Sequence, residues 1–119
     1  MHVAVVGASD NRHRYSYKAF HILKEQGHRV YPVNPNHTNI EGDIVYPNLA
    51  SIPTAIDTIT LYVNPQTSNT LTEDLIKVQP QRVIFNPGSE NHLLESALNK
   101  AGIDTLQACT LVLLHTGQF

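Results

Sequence analysis

Short apolar runs alternate with segments of helical period along the whole chain, and this alternation most constrains the fold. Val3-Ala4-Val5-Val6 is an unbroken apolar run, the pattern of a strand covered on both faces of a parallel sheet. Gly7-Ala8-Ser9 and a polar loop follow. Ala19, Phe20, Ile22 and Leu23 then recur at helical spacing until Gly27 supplies a left-handed stop. Arg29–Val33 reads as a second strand, with Pro32 limiting its pairing on one side. A third strand is expected over Asp43–Tyr46, and at most one helical turn over Leu49–Ile52. Thr58–Val63 is a β-branched fourth strand. A helix beginning between Thr67 and Thr70 runs to Val78, and the Thr70/Glu73 capping-box spacing favours the later start. Arg82–Phe85 and Asp104–Gln107 are further strands, with helices over Asn91–Ala101 and Cys109–Thr116. Ser16 is the expected N-cap of the first helix. Strands alternating with helices through one chain specify a doubly wound parallel α/β sheet, Rossmann-like with three α/β/α layers, in a single domain over residues 1–119.

Composition removes several function classes. A net charge of −2 leaves no electrostatic footprint for nucleic acid or an anionic membrane. Cys109 is the sole cysteine, so no intrachain disulfide forms, and a cytoplasmic location is expected. There is no signal-type segment at the start and no apolar run long enough to span a bilayer. Seven histidines invite a metal, but neither H-x-x-x-H nor H-E-x-x-H occurs, and no metal site is expected. Cys109 reads as a small buried hydrophobe rather than a nucleophile, and no nucleophile–base pair is legible.

The chemistry concentrates at the carboxyl ends of the strands, where open α/β sheets bind ligands. The turn from the first strand into the first helix, Gly7-Ala8-Ser9, resembles a phosphate loop, because a helix N-terminus presents unpaired N–H groups and a positive dipole end. A G-x-G-x-x-G fingerprint starting at Gly7 would require glycine where Ser9 and Arg12 stand. An NAD site also places an acid at the end of strand two, about 20 residues on. Val33-Asn34-Pro35 occupies that place, and no carboxylate follows until Glu41. Arg12, His13, Arg14 and Lys18 form a local basic cluster in the loop, and Arg14 abuts the helix start and suits a phosphate. Tyr15 and Ser16 lie at the same helix end. Asn34-Pro35, Asn64-Pro65 and Asn86-Pro87 each close a strand. Each pair reads either as turn chemistry or as an uncharged donor and acceptor for a base or amide.

The ordered set Val3–Ser9, Arg14-Tyr15-Ser16-Tyr17, Val30–Pro35, Asn86–Asn91 and Cys109-Thr110-Leu111 resembles the small stand-alone CoA-binding domain proteins over essentially the whole chain. These are similar to the CoA-binding domain of the succinyl-CoA synthetase alpha subunit. The resemblance implies CoA or an acyl-CoA as cofactor, with its pyrophosphate at Gly7, Ala8, Ser9, Tyr15 and Ser16 and a phosphate on Arg14. It places Asn34, Pro35, Val63, Asn64 and Pro65 along the adenosine and pantetheine, and closes the pocket with Asn86, Gly88 and Asn91. The phosphohistidine and grasp machinery of the synthetases belong to other domains, so His115 receives no such role. The function expected is a non-catalytic binding module for a nucleotide cofactor, with a second copy or a ligase-type subunit as partner. An NAD(P)-binding sensor or vestigial oxidoreductase is the alternative, as is a subunit of an acyl-CoA ligase-type complex.

Overall fold

A computed structural model describes all residues, Met1–Phe119. Five parallel strands form one sheet in the order β2-β1-β5-β6-β7, with β1 at His2–Val6, β2 at Arg29–Val33, β5 at Thr58–Leu61, β6 at Arg82–Phe85 and β7 at Asp104–Gln107. The two short strands between, β3 (Asn39–Ile40) and β4 (Asp43–Ile44), pair only with each other, antiparallel. The helices are α1 (Tyr15–Glu25), α2 (Pro65–Asn69), α3 (Thr72–Val78), α4 (His92–Lys100) and α5 (Thr110–His115), with a 3-10 turn at Leu49–Ser51. Strand order reverses at the β1/β5 boundary, which is the topological switch point of this doubly wound, three-layer α/β/α arrangement.

The pleat divides the core. Ala4 and Val6, with Ile59, Leu61, Val83 and Phe85, face Leu75 of α3 and Leu94 and Leu98 of α4. Val3 and Val5 point to the other layer, where Phe20 and Leu23 of α1 and Leu114 of α5 cover them. Ile40 and Val45 join that second layer and anchor the β3–β4 hairpin beside α1. Polar contacts fasten the hairpin tip. Lys24 Nζ lies 2.5 Å from Asp43 Oδ2, and the Tyr17 hydroxyl donates to Glu41. That hydrogen bond holds the Glu41 carboxyl below its ordinary range. Glu41 therefore sits against α1, held at Tyr17 and His21.

Three local expectations are corrected. Residues 43–46 do not add a strand to the sheet: only Tyr46 touches it, through a single parallel bridge to Val33. Arg29 N–H and Val33 C=O face β1, so Pro32 points to the outer edge of β2, where only its carbonyl remains to accept from Tyr46 N–H (2.9 Å). The helix after β5 starts earlier than its capping-box spacing implies, and it breaks in two. Asn64 Oδ1 accepts from Thr67 N–H (2.8 Å) and Pro65 fills the first helical position, whereas the Thr70 hydroxyl donates to Thr67 O (2.6 Å) instead of capping. Ser16 is not the N-cap of α1. Arg14 takes that position without a side-chain cap, and Ser16 is buried in the first turn.

Gly7 carries the geometry of the switch point. Its φ of +87° disfavours any residue with a Cβ, and an added Cβ would stand 2.9 Å from Tyr62 O and 3.0 Å from Val63 Cγ1. Gly88 has φ +89° but open space around it. Gly7→Ala is therefore expected to destabilise by about 3 kcal/mol or more, combining backbone strain with overlap. Gly88→Ala is expected to cost only about 1–2 kcal/mol. Urea unfolding of the two variants checks the difference, and equal losses would remove the close approach from the account.

Candidate functional site

Beyond the carboxyl ends of β1, β5 and β6 lies a cleft of about 330 Å³. Gly7, Arg14, Tyr15, Ser16, Val63, Asn64 and Gly88, all singled out from the sequence, line it together. His13, Tyr62, Pro87 and Ser89 complete the wall. A second cavity of about 300 Å³ shares Gly7 and Val63 with the first and is lined by Asn34 and Pro35, with Asn48, Leu49, Thr67, Thr70 and Leu71 around them. The two cavities thus flank the switch point. Ala8, Ser9, Pro65, Asn86 and Asn91 line neither.

The free donors are not where a phosphate loop would put them. Gly7 and Ala8 N–H both donate to Val33 O (3.0 and 3.2 Å), which closes the loop backbone onto β2. Ser9 Oγ accepts from Asn11 N–H, and Asn11 Oδ1 accepts from His13 N–H, so the rest of the loop is two successive side-chain turns. By contrast, Tyr15, Ser16 and Tyr17 N–H, the first turn of α1, meet no acceptor within the protein. The 3-10 turn, α2 and α4 are each capped by an asparagine, through Asn48, Asn64 and Asn91. The open first turn of α1 faces the cleft with Arg14 and His13 beside it, a donor arrangement suited to an anion.

The asparagines divide by role. Asn34 Nδ2 donates to Ala8 O (2.8 Å), while its Oδ1 accepts from Asn36 N–H (2.8 Å). It stands where an NAD site would hold its ribose-binding acid. Asn86 is buried and fully engaged: Nδ2 donates to Thr60 Oγ1 (2.7 Å) and Leu61 O (2.8 Å), and Oδ1 accepts from Thr110 N–H (2.9 Å). It ties β6 to β5 and to the start of α5. Asn91 caps α4 through Leu94 N–H and donates to Ser68 Oγ (2.9 Å) and Asn69 Oδ1 (2.8 Å), joining α4 to α2. Asn64 caps α2 with its oxygen, and its amide nitrogen makes no bond within the protein.

Tyr62 lies directly before Val63, and sequence pattern alone did not mark it. Its hydroxyl is buried near those of Thr60 and Thr110 but is aligned for a hydrogen bond with neither, and desolvation pushes its pKa up to about 12. Thr67 and Thr70 were also missed, because they enter the second cavity from a helix whose start the capping-box pattern misplaced. His13 belongs to the basic cluster and Pro87 to an Asn-Pro pair read from the sequence, and Ser89 follows Gly88. No three His, Cys, Asp or Glu side chains converge as metal ligands, and no helix is long and apolar enough to cross a membrane.

Residues 1–115 match a protein family described as CoA binding domain. The alpha subunit of an ADP-forming acetate–CoA ligase II from Pyrococcus furiosus is 39% identical over 56 residues, which are 46% of this chain and 12% of that subunit. The chain thus matches a small part of that much longer relative. An uncharacterized protein of known structure superposes with a TM-score of 0.93 at 37% identity, covering 99% of this chain and 97% of its own. A hypothetical protein from Pyrococcus horikoshii OT3 superposes with a TM-score of 0.91 at 29% identity, covering 98% of this chain and 82% of its own.

Two stability outcomes follow from these contacts. Asn86→Ala leaves Thr110 N–H without its partner in the interior and removes the side-chain donor shared by Thr60 Oγ1 and Leu61 O, and is expected to lower unfolding free energy by about 2–4 kcal/mol. Tyr62 titrates higher folded than unfolded, so its neutral phenol favours the fold in full below pH 10, and that contribution is lost as pH rises toward 12. The wild type is therefore expected to lose about 2–3 kcal/mol more than Tyr62→Phe across that interval. Urea midpoints for all three proteins against pH test both.

Proposed function

The chain belongs to the CoA-binding domain family, and from that premise we propose that it binds CoA or an acyl-CoA as a module without chemistry of its own. The carrying observation is the uncapped first turn of α1. Tyr15, Ser16 and Tyr17 N–H have no acceptor, and Tyr15 and Ser16 line the cleft at the switch point beside Arg14 and His13. A pyrophosphate there would satisfy several orphan donors at once, in the most favourable place for negative charge on the fold. Gly7 contributes by keeping that space free of a side chain rather than by donating, since its own N–H is held by Val33. Arg14 supplies a planar guanidinium to the phosphates. Of the remaining residues assigned to the ligand, Asn34 and Pro35 offer the second cavity to the adenosine, and Val63 stands between the two cavities.

Asn64, with its free amide nitrogen, and Gly88 border the pantetheine side of the cleft. Ala8, Ser9, Pro65, Asn86 and Asn91 then act indirectly, by fixing the loop, the start of α2 and the β6 turn. Two features favour this reading over a dinucleotide site. Asn34 occupies the position of the ribose acid, and Glu41 is held on α1 by Tyr17. A module without chemistry fits the cleft, because no lining hydroxyl is hydrogen-bonded to a base. The similarity to an ADP-forming ligase subunit supports a further step, in which the module serves a ligase-type partner.

Thermal unfolding with CoA, dephospho-CoA, NAD and ATP tests the proposal. CoA at about 100 times its Kd is expected to raise Tm by about 10 °C through linkage. Stabilisation by NAD alone would overturn the reading. Arg14→Ala is expected to weaken CoA binding roughly tenfold at low salt and clearly less at high salt, as screening of a charged contact requires. An unchanged affinity would take Arg14 out of the site.

A further inference from the structure

Next to the cleft, between α1 and α5, runs an apolar groove of about 490 Å³ that the binding of CoA itself leaves unexplained. Tyr15, Lys18 and Ile22 form one stripe of α1, and Leu111 and His115 form the facing stripe of α5. Tyr15, 65% exposed, lines both the groove and the cleft, so the two spaces adjoin at this side chain. Both helices follow parallel strands of one sheet and begin at its carboxyl ends. The groove therefore starts at the cleft and runs away from it for roughly 10 Å, the rise of α1 from Tyr15 to Ile22. Its volume lies in the range of about 300–1,000 Å³ found for small-ligand sites.

We propose that this groove holds the acyl chain of an acyl-CoA, so that the protein selects thioesters with an apolar acyl group of several carbons over free CoA. The inference rests on the reading that the pyrophosphate binds at the first turn of α1. From there the pantetheine arm crosses the cleft over Tyr62, and the acyl group leaves it past Tyr15 into the groove.

The charges around the groove favour this occupant. Lys18, which lines the groove, has its Nζ 5.5 Å from the centre of the Tyr15 ring, so a positive charge stands beside the side chain shared with the cleft. No acid lines the groove. The nearest, Glu41, is engaged by Tyr17 and stands 2.7 Å from His21 Nε2. A second copy docked by a two-fold axis would bring the same basic residues together with no acid to pair them. A ligand whose only charges are phosphates at the mouth meets no such opposition.

Isothermal titration of the wild type with free CoA, acetyl-CoA, butanoyl-CoA and hexanoyl-CoA tests the proposal. Each added methylene is expected to tighten binding about twofold, half the effect of full burial because the groove is open on one side. Hexanoyl-CoA, with four more methylenes, should thus bind about 16-fold tighter than acetyl-CoA. Leu111→Gln should flatten the series while leaving the affinity for free CoA unchanged, and Leu111→Trp, which fills the groove, should do the same if the first variant folds poorly. A flat series in the wild type with free CoA still bound would overturn the groove assignment alone. Failure of free CoA to bind would overturn the reading beneath it. A concentration-dependent dimer that Leu111→Gln dissolves, together with a flat series, would reassign the groove to self-association.

Discussion

The end of β1 passes so close to the end of β5 that only a residue without a Cβ fits between them. Gly7 meets the Tyr62 carbonyl and the Val63 side chain at distances that leave no room for one more carbon. With Gly7 in place, its N–H and that of Ala8 reach Val33 O, so a single residue fastens three neighbouring strands at the point where their order reverses. The crevice that every α/β sheet of this winding carries at its switch point stays open for the same reason. Both cavities touch Gly7 and Val63. The anion-suited turn of α1 opens onto the first of them.

Around that crossing, asparagine does most of the fastening. Asn34 holds the β1 loop to β2, Asn86 joins β5, β6 and α5, and Asn64 and Asn91 cap α2 and α4. Such a side chain carries a donor and an acceptor without a charge, so it can satisfy an N–H and a C=O in the interior without the desolvation penalty of an ion. Helices α1, α3 and α5 have no side-chain cap. Of these, α1 has three unsatisfied donors in its first turn and borders the cleft, with a basic loop beside it. The groove between α1 and α5 extends that end with an apolar surface bordered by Lys18 and His115.

Much of this was legible in the chain. The apolar run 3–6, the β-branched run 58–61 and the apolar stretch 83–85 are strands buried on both faces, as a covered parallel strand is. Gly27 and Gly102 follow their helices with φ of +89° and +83°. What pattern reading misjudged depended on competition between local signals. Residues 43–46 have strand-like composition, but Pro32 removes the donor that a partner would need on that edge of β2. Thr70 and Glu73 have capping-box spacing, yet Asn64 with Pro65 makes the stronger helix start, two residues before the earliest start expected at Thr67. The lining residues Thr67 and Thr70 were invisible for that reason, and Tyr62 because nothing local distinguishes it from the strand before it.

The sequence by itself determined the winding of the sheet, the place of the crevice and the family, since periodicity, glycine stops and an ordered set of turn residues are properties of neighbouring positions along the chain. Only the tertiary structure decided which polar groups remain free. The three Asn-Pro turns look alike in sequence, and they part in space because Asn86 meets Thr60, Leu61 and Thr110 while the Asn64 amide meets nothing. Whether a hydrogen-bonding group is satisfied depends on partners far along the chain, and no local pattern encodes those distances.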